Sequence, residues 1–540
     1  MKRYISIAIS LAMVVAISGC APNEGLSGNT SEALAENVTS SDDVNSDYNG
    51  ESMPSQDERD FTVDFSQIAT KDISSGVTVH DPSILKADGE YYIFGSHMSA
   101  AKSKDLTSWE KIADGYGVSN PVYGQIYDVA DEAFAYAGSM DSIIRTDNLQ
   151  THVWAPHVIY NEDEGLYYMY YCTSSTWNAS NLCYGVAESP EGPYEWKGAL
   201  LYSGFTKDNI EYTDVLDYVD EEYAQRHYSY LGEYNTNDYP NAIDPTVFKD
   251  KDGRTWIVYG SWSGGIFLLE LDSETGEVIH PELNEEEGVD PYFGKRLIGG
   301  GHNSIDGPYI IYDEKTDYYY LYVSYGWLER EGGYQVRVFR SKEPDGQYVD
   351  MNGLYPYKGA IHKNFGLKLI GNYMLPSLDM AYMSTGHNSV MIDDDGKTYI
   401  VYHTRFDNGK ENNSPRVHQI VLNKEGWPCV LPYQTTGETV SETGYSDDEI
   451  CGRYYVTDLN TEIDSEIPEI EVLYLESDGT IVGETISGKW ENKDDSYYVD
   501  ITLGDENFSG VLCNMKDEAG TDVMCFSVVG SNHSIWGVKY

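Results

Sequence analysis

Four short polar motifs recur along the chain, each just ahead of an apolar, strand-like run: Asp81-Pro82-Ser83-Ile84, Asp244-Pro245-Thr246-Val247, Asp306-Gly307-Pro308-Tyr309 and His387-Asn388-Ser389-Val390. Three carboxylates and an imidazole brought together can divide acid work from base work. Like charges in a confined site raise each other's pKa and seek a proton, a cation or a partner. A lone Asp-Pro is ordinary turn chemistry, since Asp readily caps a strand or makes an Asx-type turn. Three carboxylates at matching places of a repeat point instead to a ring of ionisable groups: Asp81, Asp244, Asp306 and His387.

The repeat has a fifth copy at Ala155-Pro156-His157-Val158. Each motif leads into an apolar strand and then a second, aromatic one, as in Tyr91-Tyr92-Ile93-Phe94 and Tyr399-Ile400-Val401-Tyr402. Turns such as Asp88-Gly89, Asp252-Gly253 and Asp395-Gly396 join most of these strands. These are hairpins by turn chemistry and strand composition. Further strands follow in each unit, such as Gln335-Val336-Arg337-Val338-Phe339. About four strands per unit, five times over, predict an all-β protein with a five-bladed β-propeller over 73–440. Rotation about the axis of such a ring carries the opening polar residues to one mouth of the channel. Residues 445–540 alternate in the strand manner, as at Tyr497-Tyr498-Val499-Asp500-Ile501, and predict a small β-barrel that packs on the propeller or binds polysaccharide.

The chain of 540 residues carries 35 Lys plus Arg against 89 Asp plus Glu, a formal charge of −54 that excludes nucleic acid as a partner. Its 48 Tyr favour strands and amphipathic surfaces, which suits an all-β protein handling sugar. Met1-Lys2-Arg3, an apolar run and Ile17-Ser18-Gly19-Cys20 read as a lipoprotein signal over 1–20, with Cys20 lipidated. Residues 21–72 are rich in Ser, Asn, Asp and Glu and are expected to be a disordered tether. The expectation is a monomer on the outer face of a bacterial membrane, or secreted, touching the membrane only through this anchor. Six further cysteines lack tight spacing, so zinc is not indicated; Cys172 with Cys183 and Cys513 with Cys525 are placed as neighbouring-strand partners or as buried thiols.

The ordered set His80-Asp81-Pro82-Ser83, Trp154-Ala155-Pro156, Asn241-Ala242-Ile243-Asp244-Pro245, Ser304-Ile305-Asp306-Gly307-Pro308 and Gly386-His387-Asn388 with His403-Thr404-Arg405-Phe406 resembles glycoside hydrolase family 43. The similar branch is that of extracellular endo-α-1,5-L-arabinanases with a C-terminal β-domain. The resemblance implies hydrolysis of arabinan with inversion, Asp81 acting as general base and Asp244 tuning and orienting the acid. The acid position, a Glu in the family, is Asp306 here. That side chain is one methylene shorter, which withdraws its proton by roughly 1–1.5 Å, and misplacement on that scale costs on the order of 10²-fold in rate. An inverting pair stands about 6.5–9.5 Å apart to admit a water. The resemblance also implies that His387 holds a hydrated Ca²⁺ in the channel, a structural and electrostatic ion that offsets the carboxylates.

Trp154 is expected to stack on sugar, Asn241, Ser261 and Arg405 to contact hydroxyls or fix carboxylates, and His302 and Asn303 to shape the rim. The Tyr- and acid-rich segment 202–239 is expected to be a long loop walling an open cleft. Two alternatives accompany the endo-acting reading. One is an exo-acting arabinofuranosidase or β-xylosidase of the same family; the other is a propeller that only binds arabinan because its acid is altered at Asp306.

Overall fold

The computed structural model describes residues 59–71, 74–146, 151–492 and 496–540. The signal segment, its Cys20 and most of the tether lie outside the described residues. Among the described residues no helix is long and apolar enough to cross a membrane.

Five antiparallel sheets follow one another along the chain. The first contains β1–β4 (Ser83–Ala87, Glu90–Gly95, Ser99–Ser103, Trp109–Ala113), and the second β5–β8 (Val153–Asn161, Leu166–Ser174, Ser180–Ala187, Glu195–Ser203). The third contains β9–β14 (Thr246–Lys249, Thr255–Tyr259, Ile266–Leu271, Val278–Ile279, Val289–Asp290, Gly294–Ile298). The fourth contains β15–β18 (Ile305–Asp313, Tyr318–Tyr325, Gln335–Ser341, Leu367–Ile370), and the fifth β19–β22 (Tyr382–Ile392, Thr398–Phe406, Ser414–Leu422, Pro428–Val430). These are the five expected propeller blades. Eight further strands, β23–β30 (Gly452–Asp458, Ile470–Leu475, Thr480–Gly483, Ser487–Asn492, Tyr498–Leu503, Glu506–Lys516, Asp522–Gly530, His533–Lys539), close into the expected barrel.

Blade-to-blade packing explains the tyrosines. Tyr168, Tyr170, Tyr259, Tyr320, Tyr322 and Tyr402 are all buried between or within blades. Two of these hydroxyls find carbonyl partners: Tyr259 donates to Phe293 at 2.7 Å and Tyr320 to Gly426 at 2.5 Å. These two contribute area without an unsatisfied polar end, unlike Tyr325, whose buried hydroxyl has no hydrogen-bond partner among the described residues. The ring closes between the first and fifth blades, where Val79, Ile84 and Ile93 pack on Val401 and Val417. Ser389 Oγ seals the seam by donating to the Pro82 carbonyl at 2.8 Å and accepting from the Ile84 amide at 3.1 Å.

The barrel interior is filled by side chains such as Tyr454, Leu473, Ile501, Phe508 and Phe526. Its outer face, through Val511, Trp536 and Val538, shares one core with Val430 and Leu431 of the propeller. All six described cysteines are free thiols. Cys172 lies opposite Leu182 and Cys183 opposite Tyr171, so the two leave opposite faces of their sheet and are not partners. Cys513 and Cys525 do stand directly opposite each other.

Two expectations need correction. The end of the supposed tether is an ordered strap on the barrel: Phe61 and Phe65 pack edge-on against Tyr474 and Tyr455, and Arg59 pairs with Glu476 at 2.8 Å. Three apolar residues, Phe61, Phe65 and Ile68, are enough to dock a segment of otherwise polar composition. The segment 202–239 does not wall the cleft. It folds into short helices that bury Phe205, Ile210, Val215 and Tyr234 against the second and third blades, and it buttresses the rim through the bond from the Gly301 amide to the Asn237 carbonyl at 2.8 Å.

Candidate active site

Each blade has a left-handed residue in or just ahead of its innermost strand, at the site end. These are Asp81 (φ 54°), Ala155 (φ 41°), Asp244 (φ 55°), Gly307 (φ 54°) and His387 (φ 48°). Four carry side chains, at a cost of about 1–3 kcal/mol each, which marks a place where strain serves a purpose. The twist is followed by a register shift in the second, fourth and fifth blades. The ring therefore differs from the one expected. Its fourth member is Gly307, and Asp306 sits one residue earlier, in the place held by His80, Trp154, Ile243 and Gly386 elsewhere. Aligning the motifs on their prolines, rather than on their acids, reveals the offset. Gly307 is needed where it is: a Cβ there would lie 3.2 Å from the His387 ring.

Asp81, Asp244 and Asp306 nevertheless meet, all buried and all lining one cleft of about 1560 Å³. Asp81 is surrounded by histidines. His80 Nδ1 stands 2.8 Å from its Oδ2, while His387 Nδ1 and His403 Nδ1 stand 3.2 and 3.7 Å from its Oδ1. Ser96 donates its hydroxyl to Oδ2. Burial works to raise this carboxyl, but His387 and His80 outweigh it and hold Asp81 well below the usual carboxylate range.

The other two carboxyls move the opposite way. Burial pushes Asp306 up to about 7, with Asp81 adding repulsion and hydrogen bonds from Tyr334 and Trp262 opposing it. Burial likewise lifts Asp244 to about 7; His387 works against the rise, and Asp306 and Asp81 add to it. The Gly307 amide donates to Asp244 Oδ2 at 3.3 Å, and Tyr334 Oη donates to Asp306 Oδ1. Asp244 and Asp306 are thus both raised to about 7 while Asp81 stays ionised. One carboxylate able to accept a proton now faces a pair able to give one.

Aromatic walls flank these groups. Trp154 is half-buried, with Trp177 tilted over it at 5.1 Å and His152 stacked at 5.3 Å. On the other side Trp262 meets Trp327 edge-on at 4.3 Å. Trp177 is 69% exposed and Trp327 58%, so each offers a free face to the cleft. Ser261 and His302 line the same cleft. Asn241 does too, but its amide is taken by the Trp177 carbonyl and the Ser203 hydroxyl, so it holds the Trp177 turn in place. Arg405 Nη1 lies 3.3 Å from His403 Nε2 and Nε 2.9 Å from Glu411, behind the histidine cluster. Asn303 turns away, donating to the Gly300 carbonyl at 2.7 Å. Sequence reasoning gave no role to His80 and His403, although both sat in the motifs it used. It missed Trp177, Trp262, Trp327 and Tyr334, which lie outside those motifs.

Below the carboxylates lies a second cavity of about 10 Å³, bounded by Asp81, Asp244, His387 and Asn388. Asn388 is 3% exposed, and neither its amide oxygen nor its nitrogen has a protein partner. An imidazole, an orphaned amide oxygen and nearby carboxylates make a donor set suited to a hard cation that completes its shell with water.

Residues 218–428 match the model of glycosyl hydrolases family 43, and residues 432–537 match that of a C-terminal lipocalin-like domain. The chain is 37% identical over 497 residues to the extracellular endo-α-(1→5)-L-arabinanase 2 of Bacillus subtilis, covering 89% of this chain and 96% of that protein. It is also 37% identical to the extracellular endo-α-(1→5)-L-arabinanase of Thermotoga petrophila, over 85% of this chain and 93% of that one. The crystal structure of endo-1,5-α-L-arabinanase from Thermotoga petrophila superposes with a TM-score of 0.73, at 36% identity, over 86% of this chain and 98% of the other. The fold is thus shared along nearly the whole length of that structure, and the chain belongs to glycosyl hydrolase family 43.

Proposed function

We propose that the protein is an inverting endo-hydrolase of α-1,5-linked L-arabinan. The observation that carries this reading is the opposed protonation of Asp81 and the Asp244–Asp306 pair across one open cleft. Asp81, ionised, takes a proton from the attacking water, and Asp306 gives its proton to the leaving glycosidic oxygen. Asp244 stands close enough to repel a charge on Asp306 and so helps keep that acid protonated until the oxygen arrives. Water and leaving group lie on opposite faces of the sugar, so no covalent intermediate forms and the anomeric configuration inverts. The cleft exposes a tryptophan of each pair, Trp177 and Trp327, which suits a chain bound by its middle, and both long relatives above are named endo-arabinanases. Incubation with linear arabinan tests the reading. Mixed oligomers support it, arabinose alone would mean exo action, and bound but uncut polymer would mean a binding propeller.

For the axial cavity we propose Ca²⁺, faced by His387 and Asn388 and held mainly through water. The ion would supply positive charge beneath the carboxylates. Metal-free protein should bind Ca²⁺ with release of heat and a rise in melting temperature, and His387→Ala should abolish both. The export signal and the relatives' extracellular names support a place outside the cell, and lipidation at Cys20 would anchor the protein there. Mass spectrometry of the membrane fraction reads the lipid directly.

A further inference from the structure

Asp306 is short for its task, so its place must be fixed by its neighbours. Tyr334 Oη donates to its Oδ1, and Trp262 also hydrogen-bonds the carboxyl. The Tyr334 ring rests on Gly386, where a Cβ would come within 2.3 Å of it. Behind it, at Gly333, a Cβ would come within 2.4 Å of the Asp464 carbonyl oxygen, and Asp464 belongs to the barrel's β23–β24 connection.

That connection, residues 459–466, is an arm whose carbonyls are spent on the propeller. Arg337 Nη2 donates to Thr461 at 2.5 Å, and Gln335 Nε2 and Lys368 Nζ donate to Glu462 at 2.9 and 3.0 Å. Asn372 Nδ2 donates to Asp464 and Glu466 at 3.3 and 3.1 Å. Arg337 and Lys368 are both buried, so losing the arm would cost each an acceptor: Arg337 would keep Gln335 Oε1 and the carbonyls of Lys363 and Phe365 but lose that of Thr461, and Lys368 Nζ would lose that of Glu462. Gln335 and Arg337 lie on β17, directly after Tyr334. The first residues of that strand are therefore clamped between the arm and Gly386.

We propose that Tyr334 is a positioning residue for the acid carboxyl of Asp306, and that the barrel arm is what keeps Tyr334 in place. The barrel is then a working part of the active site although it contributes no group to the cleft. This rests on the assignment of Asp306 as the acid.

The test uses the full chain and linear arabino-oligosaccharides. Tyr334→Phe removes only the hydroxyl. Asn372→Asp keeps the acceptor for the Ser384 amide, now 2.7 Å away, but turns a carboxylate toward the arm's carbonyls. Tyr334→Phe should lower kcat by about 10- to 100-fold, as for a displaced acid, with KM within twofold. The basic limb of the pH profile should move up, because the lost bond had favoured the ionised form of a carboxyl otherwise faced by Asp81 and Asp244. Asn372→Asp should shift both in the same direction by less, and the double variant should match Tyr334→Phe alone. An unmoved basic limb in Tyr334→Phe, or additive losses in the double variant, would overturn the proposal. If Asn372→Asp does not fold, Gly333→Ala, which presses on the arm directly, takes its place with the same expected signs. The carboxyl titration of Asp306, followed by isotope-labelled NMR, separates the two ideas. If arabinan stays uncut but that titration still moves in Tyr334→Phe, the substrate reading fails and the brace stands.

Discussion

The two sides of the cleft hold the same functional group and treat it in opposite ways. Asp81 is ringed by His80, His387 and His403, with Ser96 donating to it, so its charged form is favoured despite burial. Asp306 and Asp244 are buried to the same degree, but both are repelled by Asp81; tyrosine and indole donors relieve Asp306, and His387 with the Gly307 amide relieves Asp244 only in part. Burial alone raises both sides. What separates them is the balance of neighbours: Asp81 has imidazoles beside both oxygens, whereas Asp306 has Asp81 for repulsion and Asp244 has one imidazole against two carboxyls. On the proposed mechanism, acid and base are set by these neighbours and not by the residue type.

Truncation is the hardest test of that division. Asp81→Ala and Asp306→Ala should each lose about 10²- to 10⁴-fold in kcat on arabinan, the usual range for a general acid or base. They should part company on an aryl arabinobioside, whose leaving group needs no proton. There Asp306→Ala should recover most of its rate and Asp81→Ala none. Equal recovery by both would erase the distinction between the two sides.

The pH profile tests it without mutation. Activity needs Asp81 ionised and Asp306 protonated, so the basic limb should break near pH 7, where Asp306 loses its proton. Above that point the rate should fall about tenfold per pH unit. The acid limb should lie below the ordinary carboxylate range, since Asp81 is held down. A plateau persisting to pH 9 would mean that Asp306 is not the proton donor.

Trp177 and Trp327 extend the comparison along the substrate. Stacked aromatic contacts contribute about 0.5–1.5 kcal/mol each, so Trp177→Ala and Trp327→Ala should each raise KM roughly two- to tenfold with kcat nearly kept. If both ends of the cleft hold polymer, both variants should do so on arabinan. An effect from only one would favour a chain-end mode of attack.

Much of this arrangement was legible from local patterns. Asp-Pro and His-Asn openings, turn residues and paired aromatic strands are short-range signals, and they located the blades, the barrel and the three carboxylates. The offset of Asp306 escaped because it depends on which residue of the motif takes the left-handed turn, and Gly307-Pro308 supplied that signal without being used. Tyr334 escaped for a deeper reason. Its role arises from a side chain just ahead of β17 reaching Asp306 on β15, two strands away, and from a barrel arm more than a hundred residues later, and no spacing in the chain records such a meeting. The strap at 59–71 was hidden by average composition, since a few apolar residues suffice to dock a polar segment.

The smallest expected effect is on stability, and there the two sides should differ in sign. Asp306 has an ordinary value of 3.8 and a folded value of about 7, so the folded state binds its proton more tightly than the unfolded chain does. Stability from this group is full below about pH 4 and is lost as pH rises through 7. Asp306→Asn removes that loss and should melt slightly higher than the native chain at pH 8, with the gap closing toward pH 4. Asp81 is depressed, so its contribution is present above its unfolded value of 3.8 and is lost only as pH falls through its lower folded value. Asp81→Asn should therefore melt lower at pH 7, by a change on the order of 1 kcal/mol for a buried charged hydrogen-bonding group. Differential scanning calorimetry of the two variants across pH reads both signs. Two shifts in the same direction would mean that the histidines do not set Asp81 apart from its fellow carboxylates, and the acid–base division would have to come from the substrate instead.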